Sequence, residues 1–168
     1  MSLYIELHNF IKIHACLDWL TLSQQQALTA IQNALRTFHV INLHGVSGCG
    51  KTFLGWVCHH ESIGAYLPHP RLLRDNMPSP LPSCLIIDNT PTRRAEFRHI
   101  LKEIQIHKIP NLIAISREPI REEVAAIELH CTEHDCKGGI HNLSLADRQP
   151  KVDTDTNLWE IFDFKCKT

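Results

Sequence analysis

A glycine-rich segment at residues 45–52 constrains the fold of this chain more than any other feature. The fixed positions of the pattern G-x-x-x-x-G-K-[ST] are filled by Gly45, Gly50, Lys51 and Thr52. Val40, Ile41 and Leu43 precede it and favour a buried strand, whereas residues 53–57 can continue as a helix. The segment therefore has the order of strand, glycine loop and helix that this pattern requires.

This pattern is that of a phosphate-binding loop, or P-loop. Backbone N–H groups at the start of the helix meet the phosphates, and glycines allow the close approach. Lys51 supplies a positive charge near the β- and γ-phosphates, and the Thr52 hydroxyl is placed to bind Mg²⁺. No Asn-Lys-x-Asp guanine motif is present, so ATP is favoured. The predicted nucleotide-binding residues are Gly45, Val46, Ser47, Gly48, Cys49, Gly50, Lys51 and Thr52.

A second motif follows about thirty residues later. Residues 84–87, Cys-Leu-Ile-Ile, form an apolar run of the kind found in a strand buried on both faces, and Asp88 ends it. Ligands bind at the carboxyl edge of such sheets, so Asp88 is predicted to orient Mg²⁺ together with Thr52. The alternative is that Asp88 is an ordinary turn residue.

The composition bounds the class of protein. The chain has 168 residues, 43% of them hydrophobic, and a formal net charge of −1, which suits one globular domain without an overall basic footprint for nucleic acid. No apolar run reaches the length of a membrane-spanning helix, so no membrane association is expected. The seven scattered cysteines indicate free thiols in a reducing cytoplasm.

The pattern along the chain predicts three regions. Residues 1–38 form an N-terminal helical segment that covers the nucleotide site, residues 39–149 form the P-loop core, and residues 150–168 form a C-terminal docking tail. Within the tail, the apolar cluster consists of Leu158, Trp159, Ile161 and Phe162. Five prolines between residues 68 and 82 predict an exposed loop.

The remaining elements complete an α/β pattern. Phe97, Ile100, Leu101 and Ile104 mark an amphipathic helix, and residues 111–116 read as a buried strand. Short strands are predicted at Ile63–Leu67, Ile127–Cys131 and Ile140–Leu145. The expected fold is a three-layer α/β P-loop NTPase with a mainly parallel central sheet.

Three segments together resemble one family of ATPases. They are HGVSGCGKT at 44–52, CLIIDN at 84–89 and NLIAISREPI at 111–120. The last two are similar to segments of P-loop ATPases of the AAA+/STAND class, which includes the NB-ARC and NACHT modules. The resemblance implies a nucleotide-dependent switch. It also implies that Arg117 is a sensor arginine that reads the γ-phosphate, and the alternative is that Arg117 pairs with Glu118, Glu122 or Glu123.

The chain also departs from that family. Asn89 stands where many vigorous ATPases place a catalytic glutamate, and an amide cannot accept a proton. Hydrolysis is therefore expected to be slow, unless Glu61, another carboxylate or a partner supplies the base. The length leaves no room for the winged-helix and repeat regions of such switches. The expectation is a solitary, isolated ATPase module that works with a protein partner or as a homo-oligomer.

Three other interpretations remain open. A small-molecule kinase could use Arg117 and Arg121 as lid arginines. An ATPase subunit of a DNA-directed complex, such as a loader, transposition or defence machine, could use a basic face formed by Arg71, Arg74, Arg93, Arg94, Arg98 and Lys102. A structural zinc ion could be bound by residues from the group His130, Cys131, His134, Cys136 and His141.

Overall fold

The computed structural model describes residues 3–74, 77–145 and 158. The helices are α1 (Leu3–Ile13), α2 (Leu22–Ala34), α3 (Lys51–His60), α4 (Arg94–Ile106) and α5 (Glu133–Leu145). The strands are β1 (Val40–His44), β2 (Ala65–Leu67), β3 (Cys84–Ile87), β4 (Asn111–Ile115) and β5 (Ala125–Glu128). Two short 3₁₀ turns occur at Leu17–Trp19 and Pro70–Leu73. None of these helices is long and apolar enough to cross a membrane.

The five strands form one parallel sheet in the order β2-β3-β4-β1-β5. In its register, Ile41 of β1 lies opposite Ile113 of β4 and Ala125 of β5. Because all strands point the same way, their carboxyl ends meet at one edge. This edge carries the loop after β1, Asp88 after β3 and Arg117 after β4.

Helices cover both faces of the sheet, as the apolar strands require. On one face, Leu43, Ile86 and Ile115 belong to a core with Ile31 of α2 and Leu54 of α3. On the other face, the residues that alternate with these pack with α4 in a second core, which includes Leu85, Ile87, Leu112, Phe97 and Ile100. The three-layer α/β fold with a parallel sheet is confirmed.

The two strands predicted near residue 130 differ from the structure. The strand expected at Ile127–Cys131 begins two residues earlier, at Ala125. The strand expected at Ile140–Leu145 is wrong, because these residues end helix α5. The helix begins where Thr132 N–H donates to the Asp135 carboxylate at 2.8 Å and Asp135 N–H donates back to the Thr132 hydroxyl at 3.3 Å, a reciprocal N-terminal cap.

The structure describes the N-terminal segment from residue 3 onward, whereas after residue 145 it describes Leu158 alone. Within the segment predicted to be helical at residues 1–38, α1 spans Leu3–Ile13, and α2 begins after Thr21, whose N–H donates to the Gln24 side chain at 3.0 Å. The docking tail predicted at 150–168 lies outside the described residues except for Leu158. That residue donates its N–H to the Gly48 carbonyl at 3.1 Å. Trp159, Ile161 and Phe162 are among the residues outside the description.

Candidate functional site

A cavity of about 500 Å³ opens at the carboxyl edge of the sheet. One side is formed by the glycine loop, the start of α3 and the ends of β3 and β4. The other side is formed by α1, the turn at residues 17–19, the start of α2 and α5. Residues on the first side include Ser47, Gly48, Gly50, Lys51, Thr52, Asp88, Asn89, Ser116 and Arg117. Residues on the second side include Ile11, Trp19, Thr21, Gln24, Gly139, Asn142, Leu143 and Leu158.

Two glycines of the loop adopt backbone angles that disfavour any other residue. Gly45 has a φ of 150°, and a Cβ there would overlap the carbonyl oxygen of Leu129. Gly50 has a φ of 92°, and a Cβ there would overlap the side-chain amide of Gln24. Both φ values lie in the region that L-residues rarely adopt. Both glycines are therefore required by their backbone angles, and Gly45 is also required by the Leu129 backbone just after β5.

Lys51 is held at the edge of the cavity by its own loop. Its Nζ donates to the carbonyl oxygens of Gly45 at 2.6 Å and Val46 at 2.7 Å, and lies 3.5 Å from Cys49 Sγ. Of the eight predicted loop residues, Ser47, Gly48, Gly50, Lys51 and Thr52 line the cavity. The other three, Gly45, Val46 and Cys49, contact the ammonium group of Lys51. The loop thus fixes a positive charge beside the cavity.

Asp88 and Thr52 meet as the two motifs predict. Asp88 is 5% exposed, and its Oδ2 accepts a hydrogen bond from the Thr52 hydroxyl at 2.7 Å. Oδ1 accepts from the N–H of Asn89 at 2.7 Å. Asp88 is therefore not merely a turn residue, because its side chain joins β3 to the first turn of α3.

The oxygen donors at this point fit a magnesium ion. Mg²⁺ prefers hard oxygen ligands and is usually bound by one or two protein groups together with phosphates and water. The Thr52 hydroxyl and the Asp88 carboxylate are such groups, and both line the same cavity as Lys51. The donor set is thus compatible with Mg²⁺ at Thr52 and Asp88.

Tyr66 is a site residue that the sequence analysis missed. Its hydroxyl donates to Asp88 Oδ2 at 2.8 Å, the same oxygen that Thr52 contacts. Burial raises the pKa of the Tyr66 phenol well above its ordinary value, and the negative charge of Asp88 raises it further. The phenol therefore keeps its proton and remains a hydrogen-bond donor. The sequence places Tyr66 in the strand predicted at Ile63–Leu67, but only the pairing of β2 with β3 shows that this strand ends beside Asp88.

Arg117 lies at the cavity, on a loop whose backbone is held by hydrogen bonds to β1. Asn42, completely buried in β1, donates to the Ser116 hydroxyl at 2.8 Å and accepts from the Ile120 N–H at 2.9 Å. Ser116 in turn donates to the Glu118 carbonyl at 2.7 Å. These bonds fix the backbone on both sides of the exposed Arg117, which lines the cavity. Asn42 and Ser116 were not identified from the sequence.

The pairing of Arg117 with a nearby carboxylate is not what the structure shows. Glu122 instead pairs with Arg94 at 2.8 Å and Arg98 at 2.6 Å. The hydrogen bond from Arg94, followed in size by the one from Arg98, lowers the pKa of the Glu122 carboxyl group. Within residues 3–74 and 77–145, no ion pair includes Arg117. The pairing with Glu122 also accounts for an arginine at the start of α4, where the helix dipole disfavours it.

A buried carboxylate joins the two elements on the far side of the cavity. Asp135 of α5 accepts hydrogen bonds from the N–H and hydroxyl of Ser23 at 3.0 and 2.7 Å. It also accepts from the N–H and hydroxyl of Thr132 at 2.8 and 2.6 Å. Burial acts to raise the pKa of Asp135, but these donors outweigh it and lower the pKa to about 2. The start of α2 and the start of α5 are thereby tied together.

Two sequence-based alternatives do not converge on a site. Among the described residues, no three histidine, cysteine or acidic side chains are gathered so that they could hold a metal ion, so the zinc hypothesis is wrong for this segment. Cys131 and Cys136 approach each other at 3.4 Å, while His130 lies beside Glu128. Glu61 follows the last residue of α3, roughly 15 Å along the helix from Lys51, and it does not line the cavity.

Comparison with solved structures identifies the fold. No family model and no curated protein matches this chain. The AMPPCP-bound DnaA of Aquifex aeolicus superposes with a TM-score of 0.56 at 14% identity, over 84% of this chain and 60% of that one. The fold is the AAA+ P-loop fold.

Two further structures agree with this assignment. A DNA replication initiation factor has a TM-score of 0.56 at 15% identity, over 82% of this chain and 56% of that one. Domain III of the Thermotoga maritima replication initiation protein DnaA has a TM-score of 0.54 at 13% identity, over 86% and 82%. This chain spans 60% or less of the first two proteins. At 13–15% identity these neighbours show a shared fold alone, and they do not support the narrower NB-ARC or NACHT-like subtype.

Proposed function

We propose that this chain binds Mg-ATP in the cavity beside the loop 45–52 and hydrolyses it slowly, as a nucleotide-dependent switch or regulatory subunit. One observation carries the proposal. Lys51, Thr52 and Asp88 come from two separate motifs, and the fold brings all three to one cavity at the carboxyl edge of the sheet. The likeness in fold to an AMPPCP-bound DnaA supports the same ligand class.

The phosphates would be bound by the glycine loop. Backbone N–H groups at the start of α3 favour negative charge, and Lys51 would exchange its contacts with the Gly45 and Val46 carbonyls for phosphate oxygens. Thr52 and Asp88 would hold Mg²⁺, which neutralises phosphate charge when it is bound. Arg117 would contact the γ-phosphate from the end of β4.

The adenine ring of ATP would lie on the opposite side of the cavity from the phosphates. Ile11 and Trp19 from the N-terminal segment and Leu143 from α5 supply apolar surface there, and Gln24 and Asn142 supply amides. An apolar pocket with a few polar groups is typical of a small-molecule site. This supports the proposal that residues 1–38 cover the nucleotide. The same proposal assigns residues 39–149 to the ATPase core and residues 150–168 to a docking tail.

Slow hydrolysis follows from the residues near the metal ligands. Among the described residues that line the cavity, Asp88 is the only carboxylate, and it already accepts hydrogen bonds from Thr52, Tyr66 and Asn89. The Asn89 side chain is directed to the Pro68 carbonyl at 3.0 Å and could not act as a base. A protein partner or a second copy of the chain would therefore supply a catalytic group.

The proposal is tested by titrating the purified chain with Mg-ATP and Mg-ADP in a calorimeter, then identifying the nucleotide held after overnight incubation with Mg-ATP. Binding of both nucleotides is expected, with most of the bound nucleotide recovered as ATP. Failure to bind either nucleotide would contradict the site. Complete conversion to ADP within minutes would contradict slow hydrolysis and require a base that the geometry does not offer.

Arg117→Ala is expected to weaken ATP binding roughly tenfold and to leave ADP binding nearly unchanged, because a guanidinium at this position would contact only the γ-phosphate. Both affinities are measured by the same titration. Arg121→Ala is the matched control, since Arg121 is exposed on the same loop and does not line the cavity. An equal loss for ATP and ADP would count against a γ-phosphate sensor.

A role in a DNA-directed complex is a second candidate, favoured by the likeness to replication initiation proteins. Four of the six residues of the proposed basic face form ion pairs with three glutamates in the structure. Arg74 pairs with Glu103, Arg93 with Glu96, and Arg94 and Arg98 with Glu122. This role therefore assigns DNA contact to a partner subunit rather than to this face. The small-molecule kinase remains a prediction that acceptor-dependent ATP consumption would decide.

A further inference from the structure

Tyr66 contacts the carboxylate that the proposed function assigns to Mg²⁺, although it belongs to neither nucleotide-binding motif. Its hydroxyl lies 2.8 Å from Asp88 Oδ2, and the Thr52 hydroxyl lies 2.7 Å from the same atom. The other oxygen, Oδ1, is held by the Asn89 N–H at 2.7 Å. Three donors from β2, α3 and the end of β3 therefore converge on one side chain.

The Tyr66 ring occupies a place that its neighbours define. In the register of β2 and β3, Tyr66 lies opposite Ile86, two residues before Asp88. Trp56 packs edge-on against the ring, with centroids 6.4 Å apart. Gly55 leaves space for the ring, because a Cβ at Gly55 would approach Tyr66 Cε2 at 3.1 Å and Ile115 Cδ1 at 2.8 Å. The position of the hydroxyl is therefore set by packing rather than by a freely rotating side chain.

We propose that Tyr66 is a positioning residue for magnesium in this site: its hydroxyl fixes the Asp88 carboxylate so that Oδ2 faces Thr52. The inference rests on the proposed function, because it needs Mg²⁺ at Thr52 and Asp88. Nucleotide binding through the loop and Lys51 does not depend on it. The two ideas can therefore fail separately.

Three hydrogen bonds hold the two carboxylate oxygens of Asp88. An ionised carboxylate offers about four acceptor positions, so Oδ2 can accept from both hydroxyls and retain its charge. With Asn89 on one oxygen and Thr52 and Tyr66 on the other, the plane of the group is determined. Without the phenol, Oδ2 keeps only Thr52, which also has to serve the metal ion. The carboxylate then loses part of its orientation before Mg²⁺ arrives.

Tyr66→Phe is expected to raise the Mg²⁺ concentration needed for half-maximal enhancement of ATP binding by roughly tenfold, the effect of one hydrogen bond to a charged group. ATP affinity in EDTA should remain within about twofold of the unchanged chain, because Phe keeps the ring and no phosphate contact is removed. The measurement is a calorimetric titration with ATP at a series of MgCl₂ concentrations and in EDTA, accompanied by thermal midpoints.

Two comparison variants separate the hydroxyl from general effects. Tyr66→Leu removes the ring as well, so it should add a fall in thermal midpoint to the same change in Mg²⁺ dependence. Thr29→Ala removes an exposed hydroxyl that bonds only the Gln25 carbonyl in its own helix, and it should leave the Mg²⁺ dependence unchanged.

The outcomes are distinguishable. An unaltered Mg²⁺ dependence in Tyr66→Phe overturns the positioning role while the nucleotide site stands. A loss of affinity that is equal in EDTA and in Mg²⁺ also overturns it, because that result describes damage to the whole site. If the unchanged chain binds no ATP, the proposed function fails, and the role of Tyr66 fails with it.

Discussion

Replacing Lys51 with alanine is expected to abolish measurable Mg-ATP binding, with a loss in affinity of at least ~100-fold. The ammonium group lies at the edge of the cavity, 2.6 Å from the Gly45 carbonyl oxygen and 2.7 Å from that of Val46. A triphosphate brings several negative charges to a partly water-excluded site, where an opposite charge has its greatest effect. Calorimetric titration of both proteins with Mg-ATP measures the change.

The loss has to be separated from damage to the loop, because Lys51 also bonds two loop carbonyls. Circular dichroism and the thermal midpoint without nucleotide check that the fold is kept. Lys102→Ala is the matched control, since it removes an exposed lysine from α4 on the other side of the sheet. Full ATP affinity in Lys51→Ala would contradict the assignment of the loop, whatever the behaviour of Arg117 or Tyr66.

The core of this site could be predicted from the sequence because each motif is local. The glycine loop needs particular backbone angles within eight residues, and Gly45, Gly48 and Gly50 adopt positive φ values there. Asp88 directly follows a continuous apolar strand. A parallel sheet then requires both segments to end at the same edge, so the meeting of Thr52 and Asp88 follows from the topology.

The surroundings of the site could not be predicted, because they depend on contacts between distant residues. Asn42 and Ser116 are 74 positions apart, and Ser23 and Asp135 are 112 positions apart. In sequence, Asn42 is a polar interruption of an apolar strand with no indication of its partner. Only the neighbouring position of β1 and β4 shows that it fastens the loop carrying Arg117.

The error at residues 140–145 has a similar origin. Two adjacent glycines, Gly138 and Gly139, lower the helix propensity of this segment, so its local sequence does not indicate a helix. Helix α5 forms because Thr132 and Asp135 cap its start and because Leu143 is buried beside Leu7 of α1. Tertiary packing therefore outweighs the local preference.

The second large effect is expected at Gly45. Gly45→Ala should lower the free energy of unfolding by more than ~2 kcal/mol and remove ATP binding. The new Cβ would overlap the Leu129 carbonyl oxygen at a φ of 150°, where an alanine is itself strained. The Leu129 backbone cannot easily move away, because its N–H donates to the His44 carbonyl at 2.8 Å. Denaturant unfolding without nucleotide measures the stability, and titration with Mg-ATP measures the binding.

Gly138→Ala is the matched control for this substitution. Gly138 lies inside helix α5, and the nearest atom to its added Cβ is Thr21 Cγ2 at 3.8 Å, an ordinary contact. Alanine there should stabilise the protein by about 0.5–1 kcal/mol, because glycine loses more conformational freedom in a helix. Two identical changes are thus expected to have opposite signs. If Gly45→Ala were as stable as Gly138→Ala and still bound ATP, the loop would not have the close approach to Leu129 on which the site depends.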